Sequence, residues 1–249
     1  MWPMYSDLMG GKMRICDTND IRTLPLIFPF CIFQGCMHSF NFHSLSNFCT
    51  FIFEKKINFM ANQLISYLEF FRPINDDDKA LIAKAFETRS FTEGEYLFYP
   101  DHICKELFFV CKGILRIIVQ NEKGNEVTHY FLKESQFCTI LKSFNNETKA
   151  AEGIQAACDV EVLAISKARL LVLYERLPYL KSLIDQITQQ ALLDKIELRN
   201  SYLGHDSTAR YKLFIMQQAD VAMRVPLSDV ASYLGITQQS LSRIRKNIR

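Results

Sequence analysis

Between residues 91 and 165, short apolar runs alternate with turn-forming residues, and this rhythm limits the possible fold more than any other feature of the chain. The runs fall at 96–99, entered from Phe91 through Glu93-Gly94, then at 106–112, closed by Gly113, and at 114–120. A turn over 121–124 leads into 126–132, and two further runs lie at 154–157 and 160–165. Each is too short for a helix and is bounded by residues that favour turns, so each reads as a strand. With the less regular stretch from Phe137 counted, about seven or eight strands form an all-β body of the kind that closes into a barrel or roll.

Helices flank this body. Leu64, Ile65, Leu68 and Phe71 recur at helical spacing, and Asp76, Asp77 and Asp78 precede Leu81, Ile82, Ala85 and Phe86 as acids suited to a helix N-terminus. Beyond Pro178, the residues Leu180, Ile184, Ile187, Ala191, Leu198 and Ser201 fall on alternating four- and three-residue steps, with Asp194 as the one charged interruption. That predicts a long helix over 179–202, about 36 Å at 1.5 Å per residue, with a seam suited to a second copy. Gly204-His205-Asp206 reads as a hinge, and Asp206 or Ser207 caps a helix over 208–219.

The end of the chain, 226–249, carries the chemistry. Leu227, Val230, Ala231 and Leu234 mark a short helix, Gly235 breaks it, and Ile236, Leu241 and Ile244 continue an apolar face beyond Thr237. The pattern reads as a helix-turn-helix with small Ala231 at the close approach and Gly235 in the turn. Its second helix offers Gln238, Gln239, Ser240, Ser242, Arg243 and Lys246 outward. Gln pairs bidentately with adenine, Arg with guanine O6 and N7, and Ser or Lys takes bases or phosphates. From Gly204 onward seven Lys or Arg stand against three Asp, an excess of four that exceeds the net charge of +2 of the whole chain. Any affinity for nucleic acid is therefore local to this end.

Other chemistries find little support. The eight cysteines include no C-x-x-C pair, so buried thiols are expected rather than a metal site or cluster, with Cys31 and Cys36 the one compact pair. No paired carboxylates, nucleophile elbow or phosphate loop appears, and His102, His129 and His205 are isolated, so no enzyme activity is expected. The first 59 residues do not match the rest. No Asp, Glu, Lys or Arg occurs over 23–53, yet Pro25, Pro29, Gly35 and several Ser and Asn interrupt the apolar run below membrane-spanning length. The readings are an over-extended reading frame ahead of Met60 or a membrane anchor, and a secretory signal fits poorly because the apolar part starts late. No stable fold is expected before Met60.

Residues 231–246 resemble, almost letter for letter, the recognition element of the Crp/Fnr superfamily of bacterial transcription regulators, in the branch with a signature near LASYLGITxxSLSRIRK. The resemblance implies a homodimer with the second helix in the major groove of double-stranded DNA, contacting it through Thr237, Gln238, Gln239, Ser240, Ser242, Arg243 and Lys246. Gln239 departs from the acidic residue common at its position, so the target sequence does not carry over. Residues 64–171 resemble the cyclic-nucleotide-binding β-roll of the same superfamily through Phe91-x-x-Gly94-x-Tyr96-Leu97-Phe98, Leu107-Phe108-Phe109-Val110-x-x-Gly113-x-Leu115-Arg116 and Gly124-x-Glu126-Val127. Members that bind cyclic AMP carry Phe-Gly-Glu and a later Arg-Ser or Arg-Thr pair. Here the corresponding residues are Phe137-Cys138-Thr139 and Thr148-Lys149, without the Gly, Glu or Arg. These five are the candidate effector residues, and neither a cyclic nucleotide nor another cofactor is expected.

The expected fold class is α+β: an N-terminal β-roll (double-stranded β-helix) with flanking helices, a long dimerisation helix and a C-terminal helix-turn-helix. The expected division is 1–59 as an unstructured or spurious extension, 60–175 as the roll, 176–203 as the dimerisation helix and 204–249 as the DNA-binding unit. Two functions fit: a cytoplasmic homodimeric transcription regulator sensing a small molecule in its roll, or a ligand-binding or interaction module with a vestigial DNA-binding end, tethered to a membrane through 1–59. Intact Arg243, Arg245 and Lys246 favour the first.

Overall fold

The computed structural model describes residues 42–122 and 124–248, with side chains from residue 55 onward. Helix α1 (Phe42–Glu69) begins well before Met60, a correction to the expectation of no fold ahead of that residue. No Gly or Pro interrupts the chain between them, so nothing breaks the helix that the buried residues Met60, Leu64 and Leu68 anchor at four-residue steps. The expectations for residues 1–41 lie outside the described residues. Ser46–Arg249 forms one unit, which holds both sheets and the helices packed on them.

Helix α2 (Asp76–Ala85) starts where the acidic triplet predicts, with Asn75 as its cap accepting from the Asp78 N–H at 2.8 Å. The strands follow as β1 (Glu87–Phe91), β2 (Tyr96–Phe98), β3 (Glu106–Lys112), β4 (Leu115–Gln120), β5 (Glu126–Leu132), β6 (Phe137–Cys138), β7 (Glu152–Ala156) and β8 (Val160–Ser166), with helix α3 (Leu141–Asn146) between β6 and β7. They form two four-stranded antiparallel sheets, β1-β8-β3-β6 and β2-β7-β4-β5, that face each other as a roll.

Strand β3 shows why its sequence is apolar without alternation. Leu107, Phe109 and Cys111 face the helices, whereas Phe108 and Val110 face the roll interior, so both sides of the strand are buried. Strand β8 does the same, with Leu163 and Ile165 toward the helices and Val162 and Ala164 inside. Gly113 closes the turn after β3 at φ +94°, where an added Cβ would lie 2.3 Å from the Asp159 carbonyl oxygen, so only glycine fits.

Helix α4 (Lys167–Arg176), capped by Ser166, leads into α5 (Pro178–Asn200). The length of α5 matches the prediction, but its packing corrects the predicted seam. Leu180, Leu183, Ile184 and Ile187 are buried against the chain's own α1, α2, α4 and sheet, because the regular stripe covers the outer face of the roll first. The apolar residues left open lie farther along, at Leu192, Leu193 and Ile196, which are 43–48% exposed.

After Gly204, at φ +77°, Asp206 caps α6 (Ser207–Gln217) by accepting from the N–H groups of Thr208 and Ala209, each at 2.8 Å. Those two donors hold the Asp206 carboxyl below its usual pKa. The helix expected over 208–219 is α6, which ends two residues sooner because Gln218 at φ −133° breaks it, and α7 (Ala219–Arg224) follows. Helices α8 (Leu227–Tyr233) and α9 (Gln238–Ile248) are joined by a turn through Gly235 at φ +66°. Arg210 donates to the Leu234 carbonyl at 2.8 Å and so closes the end of α8. A third core joins these helices to the roll through Ile114, Phe131, Phe214, Tyr233 and Leu241.

Candidate nucleic-acid interface and ligand cavity

Helix α9 is anchored by Leu241, fully buried, with Ile244 and Ile248 half-buried beside it. Thr237 starts the helix: its hydroxyl accepts from the Ser240 N–H at 3.1 Å and donates to the Ser240 hydroxyl at 2.9 Å. Thr237 and Ser240 are therefore exposed but partly committed to each other, and Ser242 is half-buried. Gln238, Gln239, Arg243 and Lys246 are exposed, and the side chain of none makes a hydrogen bond or ion pair with a described residue. Counting Arg245, α9 carries three cations and no carboxylate along its whole length. Six of the seven predicted residues thus lie on α9 and Thr237 just ahead of it, and four of them present side chains with no partner among the described residues.

Helix α8 braces α9 and is itself held to the roll. Arg116 of β4, only 12% exposed, donates to Asp229 of α8 at 3.0 Å, to Glu126 at 3.0 Å and to the Gln155 side chain at 2.7 Å. Nearby, the Thr128 N–H donates to the Ser232 hydroxyl at 2.9 Å. Burial pushes the Asp229 carboxyl above its usual pKa, against the opposing pull of Arg116. On α7, Arg224 grips Glu134 through both carboxylate oxygens, one of which also accepts from the Gly113 N–H at 2.7 Å. Burial raises the Glu134 pKa, but these donors together outweigh it and leave the carboxyl below its usual range.

The five candidate effector residues do not form one site. Strand β6 alternates, so Phe137 points toward the helices and Cys138 into the roll interior, where burial pushes its thiol up to about 12. Thr139 donates its hydroxyl to the Glu106 carbonyl at 2.9 Å. Thr148 and Lys149 lie exposed beyond α3, where Lys149 bridges to Ile103. The roll interior itself is packed with Phe108, Val110, Leu115, Ile154 and Val162.

A cavity of about 500 Å³ lies instead on the outer side of β6, between α1, the turn after β5 and α5. Phe137 and Thr139 line it, and so do Tyr67, Gln186 and Lys195, which the sequence reading did not single out. The available signal was Asp194, the charged break in the apolar seam, which lines this cavity beside Lys195. Burial lowers the Lys195 pKa, and its ammonium sits 5.6 Å from the centre of the Tyr130 ring.

A family profile described as cyclic nucleotide-binding domain matches residues 88–176. Over 177 residues the chain is 23% identical to the cAMP-activated global transcriptional regulator Vfr of Pseudomonas aeruginosa, covering 64% of this chain and 81% of that protein. The c-di-GMP responsive global regulator CLP of Xanthomonas campestris superposes with a TM-score of 0.56 at 16% identity, over 70% of this chain and 91% of that one. FixK2 of Bradyrhizobium japonicum gives 0.55 at 15% identity, over 66% and 84%. At these identities the two structures speak for a shared fold, and the profile covers the two-sheet roll and the helix that follows it. Residues 88–176 thus match a cyclic nucleotide-binding domain, and the chain is similar to these regulators in sequence or in fold.

Proposed function

We propose that the protein is a homodimeric, cytoplasmic transcription regulator that reads double-stranded DNA through α9 and responds to a small molecule held between its roll and α5. The observation that carries this reading is the outer face of α9, where Gln238, Gln239, Arg243 and Lys246 are exposed and their side chains have no partner among the described residues, while Leu241 is buried. A solvated helix with no task gains from intrahelical ion pairs, and α9 has no acid with which to form one. The exposed residues Leu192, Leu193 and Ile196 on α5 supply an apolar contact for a second copy, which would set two α9 helices on one face of a duplex. The names of the matched relatives, global regulators of transcription or of gene expression, support the same class and speak against an enzyme.

The effector in this reading is not a cyclic nucleotide. No arginine lines the cavity, and the roll interior is filled by side chains. In this reading Arg243 takes a guanine, so Arg243→Ala is expected to weaken specific binding by about 1–3 kcal/mol and to relax preference at one base pair of each half-site. Fluorescence anisotropy against a selected duplex and its single-base variants measures both effects. Unchanged affinity and unchanged preference would remove Arg243 from the reading surface.

A further inference from the structure

We infer that the cavity between α5 and the roll takes a small amphipathic monoanion, a carboxylate on an apolar body, with the Lys195 ammonium as its counter-charge. This deepens the effector reading above and rests on it only for the consequence at the DNA.

Three charged side chains line the cavity: Glu134, Asp194 and Lys195. Both acids already have donors. Glu134 is held by Arg224 and the Gly113 N–H, and Asp194 accepts from the Gln190 side chain at 2.8 Å. The cation has no acceptor among the described residues. Lys195 makes no ion pair or hydrogen bond with a described residue, and its one close partner is the face of Tyr130. A half-buried ammonium without an anion is held at a cost, and the cost falls when a ligand brings the missing charge.

The walls define the remainder of the ligand. Tyr67, Phe71, Leu107, Phe137, Leu141 and Ile187 present apolar surface, and about 500 Å³ is within the range of small-molecule sites. The number of charges separates the candidates. One lysine is a single point charge without the bidentate fork that suits phosphate, and the neighbouring Glu134 and Asp194 repel a second negative charge. Nucleotides and sugar phosphates are therefore disfavoured relative to a monocarboxylate.

Isothermal titration of the full chain with octanoate, decanoate and 3-phenylpropanoate, and with the neutral octanamide, tests this directly. At least one carboxylate is expected to bind, and Lys195→Met is expected to weaken it by about tenfold or more, in line with loss of a charge-assisted contact. Lys195→Arg retains the charge and is expected to keep most of the affinity, which guards against a folding artefact in Lys195→Met. Octanamide is expected to bind more weakly than octanoate and equally to the wild type and Lys195→Met. Absence of binding by all three carboxylates, or equal carboxylate affinity in wild type and Lys195→Met, would overturn the inference. Either result leaves DNA recognition by α9 standing, whereas carboxylate binding by a chain that selects no DNA sequence would sink the regulator reading alone.

Discussion

Replacing Arg116 with methionine is expected to lower stability by about 3–5 kcal/mol, the cost of removing one partner from a buried ion pair. Arg116 and Asp229 are each only 12% exposed, and the guanidinium is also spent on Glu126, Gln155 and Thr128. Without it, the Asp229 carboxylate stays buried with Glu93 and Glu126 near enough to repel it. Urea unfolding followed by far-ultraviolet circular dichroism measures the loss. The sign of its pH dependence follows from Asp229. A carboxyl with a folded pKa above its unfolded one binds more protons when folded, so stability falls as pH rises through the interval between the two values. Loss of Arg116 widens that interval upward, so the deficit is largest at neutral pH and shrinks on acidification toward the usual aspartate range. Replacing both partners, as Arg116→Met with Asp229→Leu, is expected to recover most of the stability, because no charge is then left unpaired. A single-variant loss below about 1 kcal/mol, the range of exposed pairs, would show that α8 is not held to the roll by this contact.

Phe214→Ala is expected to cost a similar amount, about 3–5 kcal/mol, by a different route. Phe214 is fully buried in the third core, with ring centres 6.5 Å from Phe131 of β5 and 5.7 Å from Tyr233 of α8. Truncation removes the transfer energy of the ring and leaves a cavity that three elements border, which limits collapse. The urea midpoint should fall with the slope unchanged. Met216, two residues along the same helix and 78% exposed, supplies the control, since Met216→Ala should change stability by no more than about 0.5 kcal/mol. Comparable losses in the two variants would mean that α6 does not pack on the roll through Phe214.

What could be read in advance depended on how local the signal was. Strand β3 was legible because burial on both faces makes its sequence continuously apolar, and α2 because its acids and its cap sit next to each other. Strand β1 was not, since Glu87–Phe91 lies at a sheet edge with no fully buried residue and reads as polar. Strand β6 has only two residues, too few for a period to show. Helix α5 had the right length, but Leu180, Ile184 and Ile187 of the predicted seam cover the chain's own roll: a regular apolar stripe states that something covers it, not whether the cover is the same chain.

The two candidate surfaces differ for the same reason. The α9 face lies within a dozen consecutive residues, so residue types and helical spacing located it together. The cavity draws Tyr67, Leu107, Phe137 and Lys195 from four distant elements, and no local pattern links them. The split of Phe137 from Cys138 follows from strand alternation, which a two-residue strand cannot reveal in sequence.

Recognition of duplex DNA by paired α9 helices is tested most directly by selecting fragments of genomic DNA with the purified full chain and sequencing those retained. The expected result is an inverted repeat with half-site centres about one helical turn apart, roughly 10–10.5 base pairs, the spacing that a two-fold pair of recognition helices imposes. Retention of fragments with no shared sequence, falling away with salt as simple phosphate binding does, would contradict it and leave α9 as a basic face without a reading function.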